Sequence, residues 1–583
     1  MQTVTGRHGI VTAPHHLAAT AGCEVLRDGG TATEACVAVA ATLAVVYPHM
    51  TGIGGDGFWL IAEPDGRTHA IHGCGGAAAA ADLSLYAGLE AVPTRGPLAA
   101  NTVAGTISAW EAALEGGSLP LERLLRDAIR HGEEGVPVTA GGAAIAESKS
   151  GELRGLPGAY AAIFESEGRP LAGGDRLRQP ALAATLRQLA VEGLDGFYRG
   201  DLAQRIAAAK GADLRGQPGA YAAIFEPDGR PLVAGDVLCQ PALAATLRTL
   251  AADGLDSFYR GDLARRIAAD LAALGSPVTA ADLAAHRATR PAPLRVEIQG
   301  ATLFNSAPPT QGAASLLILA LFDRLGIKGV DDAAFVHGLV EATKQAFLWR
   351  DRHCGDPAYM TAAAQALLDD RATLDAMAAR IDPARALPWP QPPQWGDTCW
   401  FGAADGEGRV VSCIQSTYFE FGSGLVLPQT GITWQNRGSS FRLAAEGWNA
   451  LRPGRKPFHT LNPALARSDD GRVMAYGTMG GEGQPQTQAA LFARYSRGVD
   501  LQQAISAPRW LLGRTWGEQS TSLKLEPGFA EGLYDALAAA GHEVERMEAL
   551  TAVMGHAGAV VRHADGQLDG ASDPRSDGGV AAW

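Results

Sequence analysis

A proline- and tryptophan-rich run that leads into a strand pair places the strongest constraint on the fold of this chain. Residues 388–395 contain four prolines and two tryptophans, and proline fits neither a helix interior nor a central strand. Residues 400–404 and 409–416 then have the pattern of two strands, joined by the glycine-containing turn 405–408. Thr398 is therefore expected where an exposed linker meets the first strand of a sheet.

Thr398 has two interpretations at this point. A threonine hydroxyl is a weak nucleophile at its ordinary pKa and needs a neighbouring base. Cleavage of the chain just before Thr398 would supply that base, because the freed α-amino group can take the proton. In the alternative interpretation, Thr398 is a β-forming residue that only opens the strand.

The other strand and helix patterns predict an α+β fold. A chain of 583 residues exceeds one ordinary core, so we expect several lobes or one large multilayer domain. Helical apolar spacing is found at residues 13–27, 33–46, 313–325, 335–352, 487–497 and 529–540. Further strands are predicted at residues 431–435, 464–477 and 558–569. Strands in hairpins with helices segregated around them indicate α+β layers, not a parallel doubly wound sheet.

No cofactor or metal is predicted. Residues 52–57 contain a Gly-x-Gly-x-x-Gly pattern, but a helix precedes it and a strand follows, which is the reverse of a dinucleotide-binding turn. His337 and Glu341 lie one helical turn apart and could bind a metal, yet no third ligand is evident, so a surface pair or a packed histidine is favoured. The seven scattered cysteines contain no Cys-x-x-Cys pair, which argues against structural zinc.

Charge and composition favour a small-molecule partner in the cytoplasm. A net charge of −13 argues against nucleic acid and anionic membranes as partners. No apolar run has the length of a membrane span, and the first residues lack the apolar core of a secretion signal. The odd number of unpaired-looking cysteines fits a reducing compartment.

The chain also contains an internal repeat in a helical region. Residues 153–160 recur at 214–221 with one substitution, and the match continues at a constant offset of 61 residues. The units 153–213 and 214–274 are too few for a solenoid and indicate a tandem duplication. The sequence leaves open which copy a single-copy fold would use.

Several motifs, in this order, resemble the gamma-glutamyltransferase family of N-terminal-nucleophile hydrolases over nearly the whole chain. They are Gly29-Gly30 with Ala35, the block 52–58, residues 341–344 with 355–357, Asp397-Thr398, residues 421–424, Gly480-Gly481 and residues 570–575. The resemblance implies a four-layer αββα sandwich. It also implies a precursor that cuts itself before Thr398 into the segments 1–397, with the duplicated helical lobe, and 398–583. The two fragments are expected to stay associated, with a dimer of such pairs as a further expectation.

The resemblance also assigns catalytic roles. Thr398 would be the nucleophile and, through its freed amine, the general base. Ser416 replaces a second threonine that hydrogen-bonds the nucleophile and keeps the hydroxyl. Gly480 and Gly481 match the pair whose backbone N–H groups form the oxyanion hole, where glycine permits close approach of the backbone.

The substrate pocket departs from the glutamyl-specific pattern. Cys74 stands where those members carry the arginine that grips the substrate α-carboxylate. The other predicted substrate-binding positions also differ: Arg437 and Ser440 replace a glutamine and an aspartate, Tyr418 replaces an asparagine, and His459 and Thr460 replace a serine pair. We therefore expect the chemistry to be kept and the glutamate pocket to be lost.

These departures predict an amidohydrolase that cleaves a small carboxylate-bearing amide such as oxamate through an acyl-enzyme. One alternative is a gamma-glutamyl hydrolase or transpeptidase, or a cephalosporin-acylase-like amidase, with a rebuilt pocket. A non-enzymatic alternative is an unprocessed, inactive scaffold. Arg437 likewise has two interpretations, as a clamp for the substrate carboxylate or as a structural partner of Glu420.

Overall fold

The computed structural model describes residues 1–153, 160–166, 169–194, 287–389, 397–424, 433–513 and 520–583. Elements are numbered in chain order over these residues. The helices are α1 (His16–Arg27), α2 (Ala32–Val46), α3 (Thr106–Ala113), α4 (Leu121–Glu134), α5 (Ala140–Leu153), α6 (Tyr160–Phe164), α7 (Pro180–Glu192), α8 (Gly312–Arg324), α9 (Ala333–His353), α10 (Ala364–Asp369), α11 (Arg371–Ala378), α12 (Gly483–Tyr495), α13 (Leu501–Ser506) and α14 (Glu531–Ala539). Short 3-10 turns are formed by Leu83–Tyr86, Pro357–Tyr359, Arg437–Ser440 and Ala552–Met554.

Two large antiparallel sheets dominate the described residues. The first sheet contains, in spatial order, β1 (Val4–Gly6), β19 (Leu568–Ser572), β18 (Ala557–Arg562), β14 (Val473–Thr478), β13 (Ala464–Ser468), β10 (Ala301–Asn305) and β9 (Leu294–Ile298). The second contains β20 (Gly579–Ala582), β2 (Gly9–Ala13), β11 (Asp397–Asp405), β12 (Val410–Tyr418), β3 (Asp56–Ala62) and β4 (Thr68–Gly73). Smaller sheets pair β5 (Val136–Pro137) with β8 (Arg176–Leu177), β6 (Glu165–Ser166) with β7 (Arg169–Pro170), and join β15 (Trp510–Leu512), β16 (Leu523–Leu525) and β17 (Val544–Arg546).

The two sheets pack face to face, with helices on both outer faces. Successive side chains of each strand point to opposite faces of its sheet, so one set packs between the two sheets and the other packs against the helices. Trp400 of β11 and Val560 of β18 belong to the apolar core between the sheets. Phe401, the next residue of β11, instead belongs to the core shared with α1 and α2. On the other side, Met474 of β14 packs in the core formed with α8, α9 and α12. The predicted α+β fold and four-layer αββα sandwich are confirmed.

The helix α2 illustrates how the sequence produces these layers. Thr31 and Glu34 form a capping box, in which the hydroxyl accepts from the N–H of Glu34 and the carboxylate accepts from the N–H of Thr31. Every residue of α2 is buried. A helix that is apolar on all sides fits a position between other elements, and α2 packs against α1, α4 and β11.

The predicted hairpin around Thr398 is present, with longer strands than expected. β11 and β12 run two to three residues further toward the linker, and the turn between them places Gly408 at φ 103°. The predicted strand at 431–435 is wrong over its described part, where Trp434 makes only an isolated bridge to Gly54. The chain enters the 3-10 turn Arg437–Ser440 three residues after Trp434, which leaves no length for a ladder.

Strands from before and after residue 397 alternate within the same sheets. In the second sheet β2 lies between β20 and β11, and β3 lies beside β12. In the first sheet β1 lies beside β19, and β10 lies beside β13. A break before Thr398 would therefore leave two segments sharing two hydrogen-bonded sheets and three cores. The division into 1–397 and 398–583 stays a prediction.

The duplicated unit is described only in part. Within the first copy, 153–213, the structure places α6 and α7, and α7 packs on α4, which in turn packs on α2. The second copy, 214–274, lies outside the described residues.

Candidate active site

The predicted nucleophile lies at one end of the sandwich, on the face of β11 that is turned toward the other sheet. Thr398 stands two residues before Trp400, and Ser416 stands two residues after Ile414, so alternation directs both side chains toward the core between the sheets. On the next strand, Asp56 pairs with Ser416 and stands two residues before Phe58 of the same core. Three adjacent strands thus present Thr398, Ser416 and Asp56 at the same end.

A register shift marks the position of Thr398. Asp397 pairs with Tyr418 and Cys399 pairs with Gln415, so Ser416 and Thr417 together oppose the single residue Thr398. Tyr418 has a φ of 85°, which is unusual for a bulky residue. Its N–H donates to the Ser416 hydroxyl at 2.8 Å. Bulges of this kind re-aim side chains and are frequent beside active sites.

The glycines predicted to form an oxyanion hole lie between β14 and α12. Gly480 has a φ of 117° and Gly481 a φ of 50°, which glycine adopts most readily. Among the described residues, no group accepts a hydrogen bond from either N–H. Three residues later, the Gln484 side-chain Nε2 donates to Oγ1 of Thr398 at 3.3 Å, and both residues are fully buried. This contact brings the glycine loop and Thr398 together.

A buried polar network supports the glycine loop from behind. The Gln311 Nε2 donates to the carbonyl of Thr460 at 2.6 Å and to that of Gly481 at 2.7 Å. The Arg350 guanidinium donates to Gln311 Oε1 at 3.0 Å and to Glu482 Oε1 at 2.9 Å. Gln311 was not predicted as a site residue. Its one sequence signal is the Pro-Pro-Thr-Gln-Gly block, residues 308–312, immediately before α8.

Arg437 is a buried cation whose guanidinium has no hydrogen-bond acceptor among the described residues. Its guanidinium carbon lies 3.8 Å from the centre of the Tyr418 ring, and its side chain is almost completely buried. Within the described ranges, none of its three side-chain nitrogens has a hydrogen-bond acceptor. Burial lowers the pKa of Arg437 to about 10. Glu420, the structural partner considered from the sequence, lies instead 3.7 Å from the Lys149 ammonium.

Asp56 and His459 face each other in the same region. Oδ1 of Asp56 accepts from the N–H of Gly105 at 3.1 Å and from the Gln435 side chain at 3.2 Å. Oδ2 lies 3.6 Å from Nε2 of His459. Burial raises the pKa of the Asp56 carboxyl to about 7, although the Arg437 charge opposes this.

His459 is neutral, so its contact with Asp56 is not an ion pair. Burial, reinforced by the positive charge of Arg437, holds the pKa of the imidazole well below its ordinary 6.5. Neither ring nitrogen has a hydrogen-bond partner among the described residues. His459 was predicted as a substrate-binding residue, whereas Asp56, which belongs to the glycine-rich block 52–58, was not.

The other predicted pocket residues surround this region. The Thr460 hydroxyl is buried and has no hydrogen-bond partner in the part of the chain that the structure describes. Ser440 follows Arg437 in the 3-10 turn, and its hydroxyl donates to the carbonyl of Phe458 at 3.5 Å. Ser440 is thus occupied by a backbone contact, whereas Thr460 retains its capacity to bind a ligand.

The possible metal ligands on α9 form a separate polar cluster. His542 supplies the third candidate ligand that the sequence did not reveal, with its Nε2 2.9 Å from Nδ1 of His337. The Lys344 ammonium lies 2.7 Å from Oε1 of Glu341, and the N–H of Leu387 donates to Oε2. The donor atoms that would bind a cation already have protein partners, which fits the predicted packed histidine. The expected surface pair is wrong, since both side chains are buried.

None of the helices described here is both long and apolar enough to span a membrane.

Comparison with known proteins identifies the family. The gamma-glutamyltranspeptidase family model matches residues 18–213 and 207–583. The chain belongs to this family. The two matched segments meet at the end of the first repeat copy, as a duplication inserted into a family member would produce. Membership confirms that the chain is an enzyme, a hydrolase that acts on amides.

Full-length relatives carry the names of proenzymes. The chain is 49% identical to an oxamate amidohydrolase proenzyme of Klebsiella pneumoniae, over 99% of this chain and 98% of the relative. It is 35% identical to a glutathione hydrolase-like proenzyme of Bacillus subtilis, over 99% of each. The crystal structure of a cephalosporin acylase from Bacillus halodurans superposes with a TM-score of 0.81 at 29% identity, covering 100% of this chain and 97% of that chain.

Proposed function

We propose that the protein is a self-processing threonine amidohydrolase that hydrolyses a small amide with a carboxylate next to the scissile carbonyl, oxamate being the favoured substrate. The single observation that carries the substrate assignment is the buried guanidinium of Arg437, to which no described residue offers a hydrogen-bond acceptor. A buried cation without a partner is costly, so a site of this kind is completed by an anion. The name of the Klebsiella relative supports oxamate as that anion.

The planar guanidinium suits a carboxylate. Its fork of N–H donors can bind both carboxylate oxygens, and such charge-assisted bonds are about twice as strong as neutral ones. The Tyr418 ring under the guanidinium fixes its plane through a cation–π contact. Since Tyr418 is also the partner of Asp397 in the sheet, the clamp stands close to the proposed nucleophile.

The proposed reaction uses the α-amino group of Thr398 as the base. As Oγ1 attacks the amide carbon, its proton passes to the amine, and the N–H groups of Gly480 and Gly481 stabilise the oxyanion. The substrate nitrogen takes that proton and leaves as ammonia, with the acyl group bound to Oγ1. A water molecule then attacks the acyl-enzyme and gives a proton to the amine. The amine returns that proton to Oγ1 as the acyl C–O bond breaks, which frees the hydroxyl and releases the second carboxylic acid, whose remaining proton the ammonia takes up.

Two assembly features belong to the same proposal. The interleaving of strands from 1–397 and 398–583 supports two cleaved fragments that stay associated. A dimer of such pairs and a cytoplasmic location remain predictions.

A cephalosporin-acylase-like amidase is the second candidate, favoured by the full-length superposition. The burial of the site opposes large acyl groups, because Thr398, Arg437 and His459 are all 1% exposed or less. A gamma-glutamyl substrate is opposed by Cys74, which is buried and cannot replace an arginine as a carboxylate clamp.

Kinetics of Arg437 variants test the substrate assignment. The purified enzyme is assayed for ammonia release from oxamate, a glutaryl amide and a gamma-glutamyl anilide, and oxamate is expected to be the best substrate. Arg437→Lys keeps the charge without the fork, so KM for oxamate should rise about tenfold, or about 1.4 kcal/mol. Self-cleavage should continue, because it does not use the clamp.

Arg494→Lys is the matched control. Arg494 is equally buried, but its guanidinium donates to Asp331 and to the carbonyl of Pro508, and it lies at the far end of α12 from Gln484. This variant should lose stability without a change in KM. If Arg437→Lys and Arg437→Gln both keep the wild-type kcat/KM for oxamate, the clamp and the substrate assignment are wrong.

A further inference from the structure

The side chain of Gln484 contacts the hydroxyl of Thr398, and the other end of its amide has no hydrogen-bond partner among the described residues. It lies in the first turn of α12, three residues after Gly481, and is fully buried. Its Nε2 donates to Oγ1 of Thr398 at 3.3 Å. Its Oε1 is buried, and no donor among the described residues reaches it.

Two neighbouring glutamines on α12 show the contrast. Gln486 donates to the carbonyls of Glu482 and Leu512 and accepts from the N–H of Leu512 at 2.8 Å. Gln488 donates to the carbonyl of Asn462 and accepts from the Ser315 hydroxyl. Both amides are therefore satisfied at each end, and both hold neighbouring segments in place. Of the three glutamines, only Gln484 has a buried side-chain oxygen that accepts no hydrogen bond from a described residue.

Such an acceptor points to a donor that the described residues of the uncleaved chain do not supply. A buried amide oxygen without a hydrogen bond is unfavourable, and most such groups in folded proteins have a partner. Cleavage before Thr398 would create a suitable donor, because the backbone nitrogen becomes an amine with additional N–H groups. That amine sits on the carbon adjacent to the one that carries Oγ1. The oxygen and nitrogen of one planar amide can face an amine and a hydroxyl placed in this way.

We propose that Gln484 is a further catalytic residue, whose Nε2 donates to Oγ1 of Thr398 and whose Oε1 accepts an N–H from the freed α-amino group. The proposal rests on the proposed function, in which that amine is the base. The two contacts hold the hydroxyl and the amine side by side. The O–H bond then breaks as the new N–H bond forms, and the electron pair left on Oγ1 attacks the substrate carbonyl. The Nε2 donor stabilises the charge that develops on Oγ1.

The pH dependence of kcat/KM provides the test, because its acidic limb follows the base of the free enzyme. A carbonyl oxygen that accepts from the amine favours its protonated form and raises the pKa of the amine. Gln484→Met removes the acceptor, so the acidic limb should move to lower pH while kcat/KM falls at least tenfold. Gln484→Glu places a negative charge at the amine, so the limb should move to higher pH.

The groups that surround this position do not change between these variants. The described charged and titratable side chains around Thr398 and the glycine loop include Asp56, Arg350, Tyr418, Arg437, His459 and Glu482. All of them are common to the wild type and to both variants. If the acidic limb of kcat/KM moves in opposite directions in the two variants, the cause is therefore the side chain at position 484.

Gln486→Met is the control on the same helix. It removes three hydrogen bonds to the backbone and should lower the denaturation midpoint, but it should leave the acidic limb in place. Each sample is first checked by intact mass for cleavage before Thr398, so that only processed enzyme enters the comparison.

Three results would overturn the assignment of Gln484. One is an acidic limb that stays fixed in both Gln484 variants, and a second is a limb that moves in the same direction in both. The third is a folded Gln484→Met and a folded Gln484→Glu that both fail to cleave, since Gln484 would then act before the amine exists. The proposed function fails on a different observation, namely cleavage or activity that survives in Thr398→Ala.

Discussion

Arg437 and Asp56 are buried in the same region of the fold, and no hydrogen bond joins their side chains. The guanidinium stacks on Tyr418, while one carboxyl oxygen of Asp56 is held by Gly105 and Gln435. The other oxygen faces the neutral ring of His459. Burial is the dominant influence on both groups, lowering the pKa of the arginine and raising that of the acid. The positive charge of Arg437 therefore lies where the substrate carboxylate is proposed to bind.

The raised pKa of Asp56 predicts a specific pH dependence of stability. Its ordinary value is 3.8 and its value in the fold is about 7. Between these values the folded chain holds a proton that the unfolded chain has lost, so the stability contributed at this position falls as the pH rises. In Asp56→Asn nothing titrates, so the variant should gain stability relative to the wild type from about pH 5 to about pH 7.

Urea denaturation at several pH values measures this difference. Asp65→Asn is the control, because Asp65 is exposed and its hydrogen bonds with Arg67 lower the pKa of its carboxyl. Asp65 is ionised in both states above about pH 5, so its variant should differ from the wild type by a constant amount. An Asp56→Asn difference that is equally flat would contradict the buried-acid assignment.

At the scale of elements, the seat of Trp400 fixes the strand that carries Thr398. The indole lies against two paired glycines of the facing sheet, Gly477 on β14 and Gly558 on β18. Its Nε1 donates to the Ser412 hydroxyl on β12 at 3.0 Å. Because Trp400 stands two residues after Thr398, any displacement of the indole also moves the site.

A methyl group at Gly477 should therefore affect both stability and processing. A Cβ there would lie 2.1 Å from Cδ1 of Trp400, too close for any side chain to accept. Gly477→Ala should lower the free energy of unfolding by about 1–3 kcal/mol, as overpacked cores do, and should slow cleavage. Urea denaturation and a time course of intact mass would measure the two effects.

Gly532→Ala in α14 is the matched control. Its added Cβ would have no heavy atom within 4 Å, so the helix should gain about 0.5–1 kcal/mol and cleavage should be unchanged. If Gly477→Ala unfolds and cleaves like the wild type, the indole does not set the position of β11.

The local elements were predictable where the chemistry is local. The hairpin around the turn 405–408 follows from a short glycine-containing turn between two strand patterns. The layers follow from alternation, and the family motifs supplied their arrangement. Gln484 and Asp56 were not predicted, because their roles depend on contacts with Thr398 and His459, which are distant in sequence. The lack of a hydrogen-bond acceptor for Arg437 among the described residues likewise depends on packing, which the sequence pattern does not predict.

At the scale of the whole molecule, one cut would change the chemistry without separating the fold. Both large sheets contain strands from each side of residue 397, so the hydrogen bonds between strands hold the two segments together. The same cut would turn the nitrogen of Thr398 into an amine beside its own hydroxyl. The proposed catalytic activity therefore depends on cleavage of one peptide bond, after which the two sheets would still hold the segments together.

The intact mass of the purified protein tests this central claim most directly. If the chain cuts itself before Thr398, we expect two polypeptides, 1–397 and 398–583, that elute together under native conditions and separate under denaturing ones. Thr398→Ala should remain a single chain of 583 residues and should have no amidohydrolase activity. A wild-type enzyme that is fully active while its chain is unbroken would contradict catalysis by the freed α-amino group of Thr398.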